Sequence, residues 1–337
     1  MVERLCSKAS ASTSRAGVTS SSIRVAVTRA SCQRRAHQVG WYPSLIIRSS
    51  PALAEIESLD PATGWERIGY LSTNYDFPWD VEQSLSLAFF KTYGIPSISA
   101  LLDKTGEFRN RPQKRYDDTK LVLAEIFDHG MDSERGREAN RSMNRMHGRY
   151  DISNDDYLYV LSTFVLVPGR WNDKFGWRPY SEKERRAGLN YWMELGRRMN
   201  IRDIPKDVDE LDRWSRDYER AHSRYADSNR HVADDTLNLF LSWYPKWLRP
   251  VVRLGVTSLL EDYLLDAFGY RHPPRWFRRL VELSLRIRAR VIRLLPRRRS
   301  PRLITKERMR SYPGGYRLDE LGVGGPLDAR SSNEILT

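Results

Sequence analysis

The residues best placed to do chemistry gather around one histidine. His147 stands in the run NRMHGRYD, on a segment whose pattern predicts a helix from about Ser133 to Tyr150. Asn144 lies three positions before it, Asp151 four after it, and Asn140 one turn further back, so these side chains share one helix face. Met143, Met146 and Tyr150 flank that face. An imidazole on an ordered helix, with Asn144 or Asp151 to orient its second nitrogen and an apolar slot beside it, meets the needs of an axial iron ligand in a haem site. The same pattern also suits a histidine that stabilises the end of a helix dipole. Spacing alone leaves both readings open.

Other candidates are weaker. Arg115 and Thr119 sit one turn apart at the start of a predicted helix, where they could face bound oxygen or a haem propionate, as could Tyr116. The alternative is an exposed arginine and a helix-start threonine. Glu219 and His222 form a Glu-x-x-His pair, the spacing used by di-iron bundles, but no second copy exists in the sequence. His231 with Asp234 or Asp235 is a weaker pair. No Walker loop, dinucleotide-binding glycine fingerprint or nucleophile elbow occurs. The two cysteines, Cys6 and Cys32, both fall in a tail-like stretch, which argues against a disulfide scaffold, a cysteine-ligated metal or a cysteine nucleophile.

The elements that must position these residues are helical. Apolar residues recur at helical spacing and almost nowhere with period two, which predicts an all-α fold of about ten helices around a pocket. Asp80 reads as the cap of a helix ending at Gly94, and Ser153-Asn154-Asp155-Asp156 as the cap of the most apolar helix, expected to break at Pro168-Gly169. Ser181 with Glu184 caps another, and single helices are expected over about His231–Trp243 and Val251–Phe268. Trp171, Trp177, Trp192, Trp214 and Tyr159 suit either a channel for an apolar chain or ordinary core, and core is the simpler reading.

Charge divides the chain. The 337 residues carry a formal net charge of +13, from 56 basic and 43 acidic side chains, clustered at both ends. Residues 1–50 are rich in Ser, Thr, Ala and Arg with Glu3 as their only acid, which fits a disordered tail or a mitochondrial-type targeting segment. Residues 51–296 read as the catalytic domain and 297–337 as a disordered tail. From Arg275 to Arg299 ten arginines and one acid, Glu282, alternate with Trp276, Phe277, Leu280, Leu283, Ile287 and Val291. A basic amphipathic helix of that kind is expected to lie on an anionic membrane surface. Nucleic acid is the less favoured partner, since no nucleic-acid-binding motif accompanies the charge. No run of eighteen apolar residues occurs.

Several blocks, in order, carry a resemblance: LAFFKTYGIPSISALLDKTGEF, KRYDDT, NRMHGRYDISNDDYLYVLSTFVLVPGRW, WRPYSEKERRA and IPKDVDELDRWSRDYERAH. Together they resemble the catalytic domain shared by the ER-bound oxygenase of mycophenolic acid biosynthesis and the latex-clearing rubber oxygenases, closer to the fungal branch. The resemblance implies an all-α haem b domain that uses dioxygen on a carbon–carbon double bond of an isoprenoid or terpenoid, by cleavage or oxygen insertion, at the endoplasmic reticulum membrane. It puts the haem-ligating histidine on His147 and the distal arginine and threonine on Arg115 and Thr119. A distal lysine of the rubber branch falls on Asp118, and arginines flanking its ligand fall on Asn144 and Asp151, which are departures. The alternative is a non-catalytic peripheral membrane protein that keeps the fold.

Overall fold

The structure, a computed structural model, describes residues 50–323; the expectations for residues 1–49 and 324–337 lie outside them. Among the described residues the protein is all-α. Fourteen α-helices run in order: α1 (Pro51–Ser58), α2 (Trp65–Leu71), α3 (Pro78–Tyr93), α4 (Pro96–Thr105), α5 (Glu107–Asn110), α6 (Pro112–His129), α7 (Glu134–His147), α8 (Asn154–Phe175), α9 (Glu182–Arg198), α10 (Val208–His222), α11 (Asp227–Ser242), α12 (Arg249–Leu259), α13 (Asp262–Phe268) and α14 (Arg275–Leu294). The sequence pattern predicts about ten. The surplus is made of short helices such as α2, α5 and α13, too brief for a periodicity to register.

α3 and α8 form the central pair, with α9 and α10 also packed on α8. Their shared core includes Leu121, Leu158, Leu161, Leu189 and Leu195, all nearly inaccessible to water. A second apolar cluster joins Phe90 and Tyr93 of α3 to Leu237, Leu265 and Phe268. Local signals explain the helix starts. Ser153 Oγ accepts from the Asp156 amide at 3.0 Å. Ser181 and Glu184 close a reciprocal capping box, the Glu184 carboxylate accepting from the Ser181 amide at 2.7 Å.

Three expectations are corrected here. α8 does not stop at Pro168 but runs through it to Phe175. A proline removes one intrahelical hydrogen bond, and packing of α3, α9, α10 and α14 against this helix offsets the loss. α3 begins at Pro78, so Asp80 is not its cap. The Asp80 carboxylate is instead buried, accepting from Trp171 Nε1 at 3.0 Å and from Arg288 of α14 at 2.9 Å. The Arg288 guanidinium also lies 3.6 Å from the Trp79 ring centroid. The span Val251–Phe268 is likewise split, at Leu260 and Glu261, into α12 and α13.

A fourth correction concerns the chain after α14. Residues 301–323 do not form a disordered tail. Met309, Tyr312 and Leu321 are buried in the main core. Four carboxylates of α6 hold the segment: Asp117 accepts from the Ser311 amide, Asp118 from Tyr312 Oη and the Gly322 amide, Glu125 from Tyr316 Oη, and Asp128 from the Thr305 amide and hydroxyl. Composition missed this because the run around Pro313-Gly314-Gly315 has no helical or strand period; its partners are polar groups far away in sequence.

Candidate functional site

A cavity of about 250 Å³ opens between α3, α4, α6, α7, α8 and α9. Its wall is largely apolar, with Phe89, Leu101, Val122, Leu123, Val160 and Phe164 among the lining residues. His147, the last residue of α7, faces it. Side chains on a helix lean back toward its N-terminus, so the imidazole lies over the preceding turn. There His147 Nδ1 sits 2.9 Å from the Met143 carbonyl oxygen. A carbonyl only accepts, so Nδ1 carries the hydrogen and donates it. In the neutral ring Nε2 is then left with its lone pair. Burial pushes the His147 pKa below the usual 6.5, and the Arg115 charge pushes the same way; the Met143 hydrogen bond opposes both without overcoming them. Tyr157 of α8 meets the ring edge to face, with centroids 5.8 Å apart.

The cavity brings together Arg115, Thr119, Met143, His147 and Asp151. The Thr119 hydroxyl donates to the Arg115 carbonyl at 2.9 Å and accepts from the Arg115 guanidinium. That guanidinium also lies 5.3 Å from the Phe108 ring centroid. Arg115 and Thr119 border a second cavity of about 100 Å³ as well, sharing Phe89, Tyr93, Phe108 and Leu123 with the first. They therefore stand in the partition between two chambers.

Asn144 is not gathered into the site. Its amide donates to the Arg198 carbonyl at 2.7 Å, tying α7 to the end of α9. Asp151 is exposed at the cavity's edge. Neither side chain hydrogen-bonds His147; the backbone of Met143 orients the ring instead. Tyr116 packs on Phe240 and Trp243 and borders the smaller cavity only. Of the large aromatics, Trp192 lines the main cavity, while Trp171 and Trp177 serve Asp80 and the Asp76 carbonyl.

Asp118, where the resemblance puts a distal lysine, lines the cavity but is fully engaged. It takes Lys114 Nζ at 2.7 Å and the Gly322 amide at 2.9 Å, in addition to Tyr312. The sequence carried half of this signal, since Lys114 and Asp118 are one turn apart. Gly322 and Val323, also in the cavity wall, carried none. Glu219 and His222 are divided: the buried Glu219 carboxylate pairs with Lys91 at 3.0 Å and Tyr159 Oη at 3.2 Å, whereas His222 is exposed and stacks on Tyr218. His231 pairs with Asp103 at 3.1 Å. Among the described residues no group of three or more His, Cys, Asp or Glu side chains could hold a metal ion.

Residues 92–294 match the sequence profile of the family described as "ER-bound oxygenase mpaB/B'/Rubber oxygenase, catalytic domain". The chain belongs to this family. It is 32% identical over 221 residues to the ER-bound oxygenase mpaB' of Penicillium brevicompactum, an alignment covering 60% of this chain and 52% of that protein. It is 32% identical over 214 residues to the ER-bound oxygenase mpaB of Penicillium roqueforti (strain FM164), covering 58% and 72%. Against the ER-bound oxygenase mpaB of Penicillium brevicompactum, identity is 32% over 219 residues, covering 59% and 55%. The chain thus spans about half the length of two of these relatives. Arg115, Thr119 and His147 all fall inside the family region, and the segment 301–323 falls outside it.

Proposed function

We propose that this protein is a haem-dependent oxygenase that acts on an apolar substrate of isoprenoid or terpenoid type, by oxidative cleavage or oxygen insertion at a carbon–carbon double bond. Membership of an oxygenase family supports the reaction class. The single observation that carries the cofactor is the state of His147: a neutral imidazole whose Nδ1 hydrogen is committed to the Met143 carbonyl, facing an apolar cavity with Nε2 free to ligate. That is the tautomer a histidine would need to hold an iron through Nε2. A single imidazole is the donor that an iron already held by a macrocycle requires.

His147 is the residue that would hold haem b, with Met143 packed beside it. When bound, the haem supplies the activation of dioxygen. The protein's own groups do the rest. The Met143 carbonyl fixes the imidazole's orientation and keeps Nε2 unprotonated. Arg115 brings a positive charge and N–H donors to the cavity wall, suited to a propionate or to negative charge developing on oxygen. Thr119 holds the Arg115 side chain along the helix. The apolar lining excludes water and receives the hydrocarbon part of the substrate.

We also propose that the protein works at an anionic membrane surface, by way of α14. One stripe of that helix exposes Trp276, Leu280, Leu283, Ile287, Val291 and Leu294, with Leu294 80% accessible. Exposed arginines at 279, 286 and 290 run alongside. α12 packs on α14, and Trp247 just before α12 is 78% accessible. Among the described residues no single helix is long and apolar enough to cross a membrane. An amphipathic face of this composition lies in the headgroup region rather than across the bilayer. The relatives are named as ER-bound, which supports the endoplasmic reticulum as that surface.

The deciding experiment is a visible spectrum of the purified, haem-loaded full chain. A Soret band that disappears in His147→Ala supports the reading. No band, or one of equal intensity in the variant, rejects it and leaves the non-catalytic peripheral protein as the better account.

A further inference from the structure

Two residues of the segment 301–323 stand in the wall of the His147 cavity, and buried polar contacts hold them there. Gly322 and Val323 both line the chamber. The Gly322 amide donates to Asp118 at 2.9 Å, and Lys114 Nζ donates to the Gly322 carbonyl at 3.3 Å and the Glu320 carbonyl at 3.1 Å. Lys114 and Asp118 are themselves an ion pair at 2.7 Å, with side chains 2% and 4% accessible. A buried pair of this kind is costly unless its remaining donors and acceptors are satisfied. Here the backbone at Glu320 and Gly322, together with Tyr312 Oη, satisfies them. The pair and the segment therefore stabilise each other.

Gly322 has φ +103°, and a Cβ there would come 1.8 Å from Met146 Sδ. Only glycine gives that backbone conformation without strain. It also lets the segment press against the side chain next to His147. Val323 is then the side chain that the segment contributes to the chamber.

We propose that residues 301–323 are a specificity element: Gly322 and Val323 close one wall of the apolar chamber, the Lys114–Asp118 pair positions them, and together they set how bulky an apolar ligand the chamber accepts. This rests on reading the cavity as the substrate chamber. Asp118 is a positioning residue here, acting through the backbone of Gly322.

The test is displacement of a fluorescent fatty acid, cis-parinaric acid, from the purified, haem-loaded full chain by octanol, farnesol and geranylgeraniol. Val323→Trp is expected to weaken geranylgeraniol by at least about tenfold, a 1.4 kcal/mol effect, while octanol is little changed. Val323→Ala, which carries no folding risk from bulk, is expected to shift the preference toward geranylgeraniol. Asp118→Ala should flatten the discrimination among the three alcohols, and Asp118→Asn, which keeps an acceptor oxygen, should restore part of it. Circular dichroism establishes that each variant is folded. An unchanged order and ratio of affinities in folded Val323→Trp and Val323→Ala overturns the inference while the haem reading stands on its own spectrum. Failure of every alcohol to displace the probe from the wild type overturns it together with the chamber reading.

Discussion

At the scale of the residue, His147 and Asn144 are a matched contrast. Both lie on one predicted helix face, but only the histidine meets the cavity; the Asn144 amide is spent on the Arg198 carbonyl. His147→Ala is therefore expected to abolish the Soret band, whereas Asn144→Ala leaves haem affinity within about twofold, far less than the 10–100-fold typical of losing a true ligand-orienting partner. The lowered pKa of His147 follows from burial first; the Met143 hydrogen bond opposes it and the Arg115 charge adds to it. Burial and the Arg115 charge together outweigh the hydrogen bond, so the folded protein binds this proton less readily than the unfolded chain does. Stability from this group is present above pH 6.5 and declines as pH falls below it. An NMR titration of the haem-free protein is expected to give a His147 midpoint under 6.5, moved upward by Arg115→Met. A midpoint at or above 6.5 in the wild type contradicts the buried, Arg115-facing geometry.

At the scale of the element, α6 serves two masters. One side carries Arg115 and Thr119 to the chambers, and its carboxylates anchor the segment 301–323. Glu125 shows the balance of forces. Burial alone would raise its pKa, but hydrogen bonds from Arg135 and Tyr316 outweigh that, and its carboxyl titrates below the usual 4.5. His129 adds a contact at 3.0 Å. A carboxylate whose folded pKa is depressed stabilises the fold above its unfolded value, and that contribution is lost as pH falls through the folded one. Thermal melting between neutral pH and pH ~3 is expected to show an acid-labile component that Glu125→Gln flattens. At neutral pH the same substitution is expected to cost about 1–3 kcal/mol, the range for unpairing a buried polar network. An acid limb unchanged by the substitution would falsify this account of Glu125. The caps at Ser153 and Ser181 were legible because a cap is a contact over three residues. The continuity of α8 through Pro168 was not, because what overrides the proline is packing by four other helices.

At the scale of the whole molecule, the +13 charge and the exposed stripe of α14 act together. α14 is docked, through Arg288 to Asp80 and Glu282 to Lys174 at 2.6 Å, so its outward face is presented rather than free to turn. Flotation with phosphatidylserine-containing vesicles is expected to recover the protein at low salt and less of it as salt screens the arginines. Leu283→Glu with Ile287→Glu is expected to weaken that binding at least about tenfold. Both side chains are already about half exposed, and surface changes of this kind usually move stability by within about 0.5 kcal/mol. Equal flotation of the double variant would remove α14 from the membrane account.

The sequence alone determined the all-α class, the capped helix starts at Ser153 and Ser181, the placing of His147 on a helix and the basic amphipathic character of α14, because periodicity, caps and composition are local properties. Only the tertiary structure decided which imidazole nitrogen is free, that Arg115 and Thr119 divide two chambers, that Asp118 anchors a chain segment, and that residues 301–323 are folded. Each of these depends on a polar group finding its partner across the fold, as Asp118 finds the Gly322 amide 204 positions away, and no local pattern encodes such a meeting.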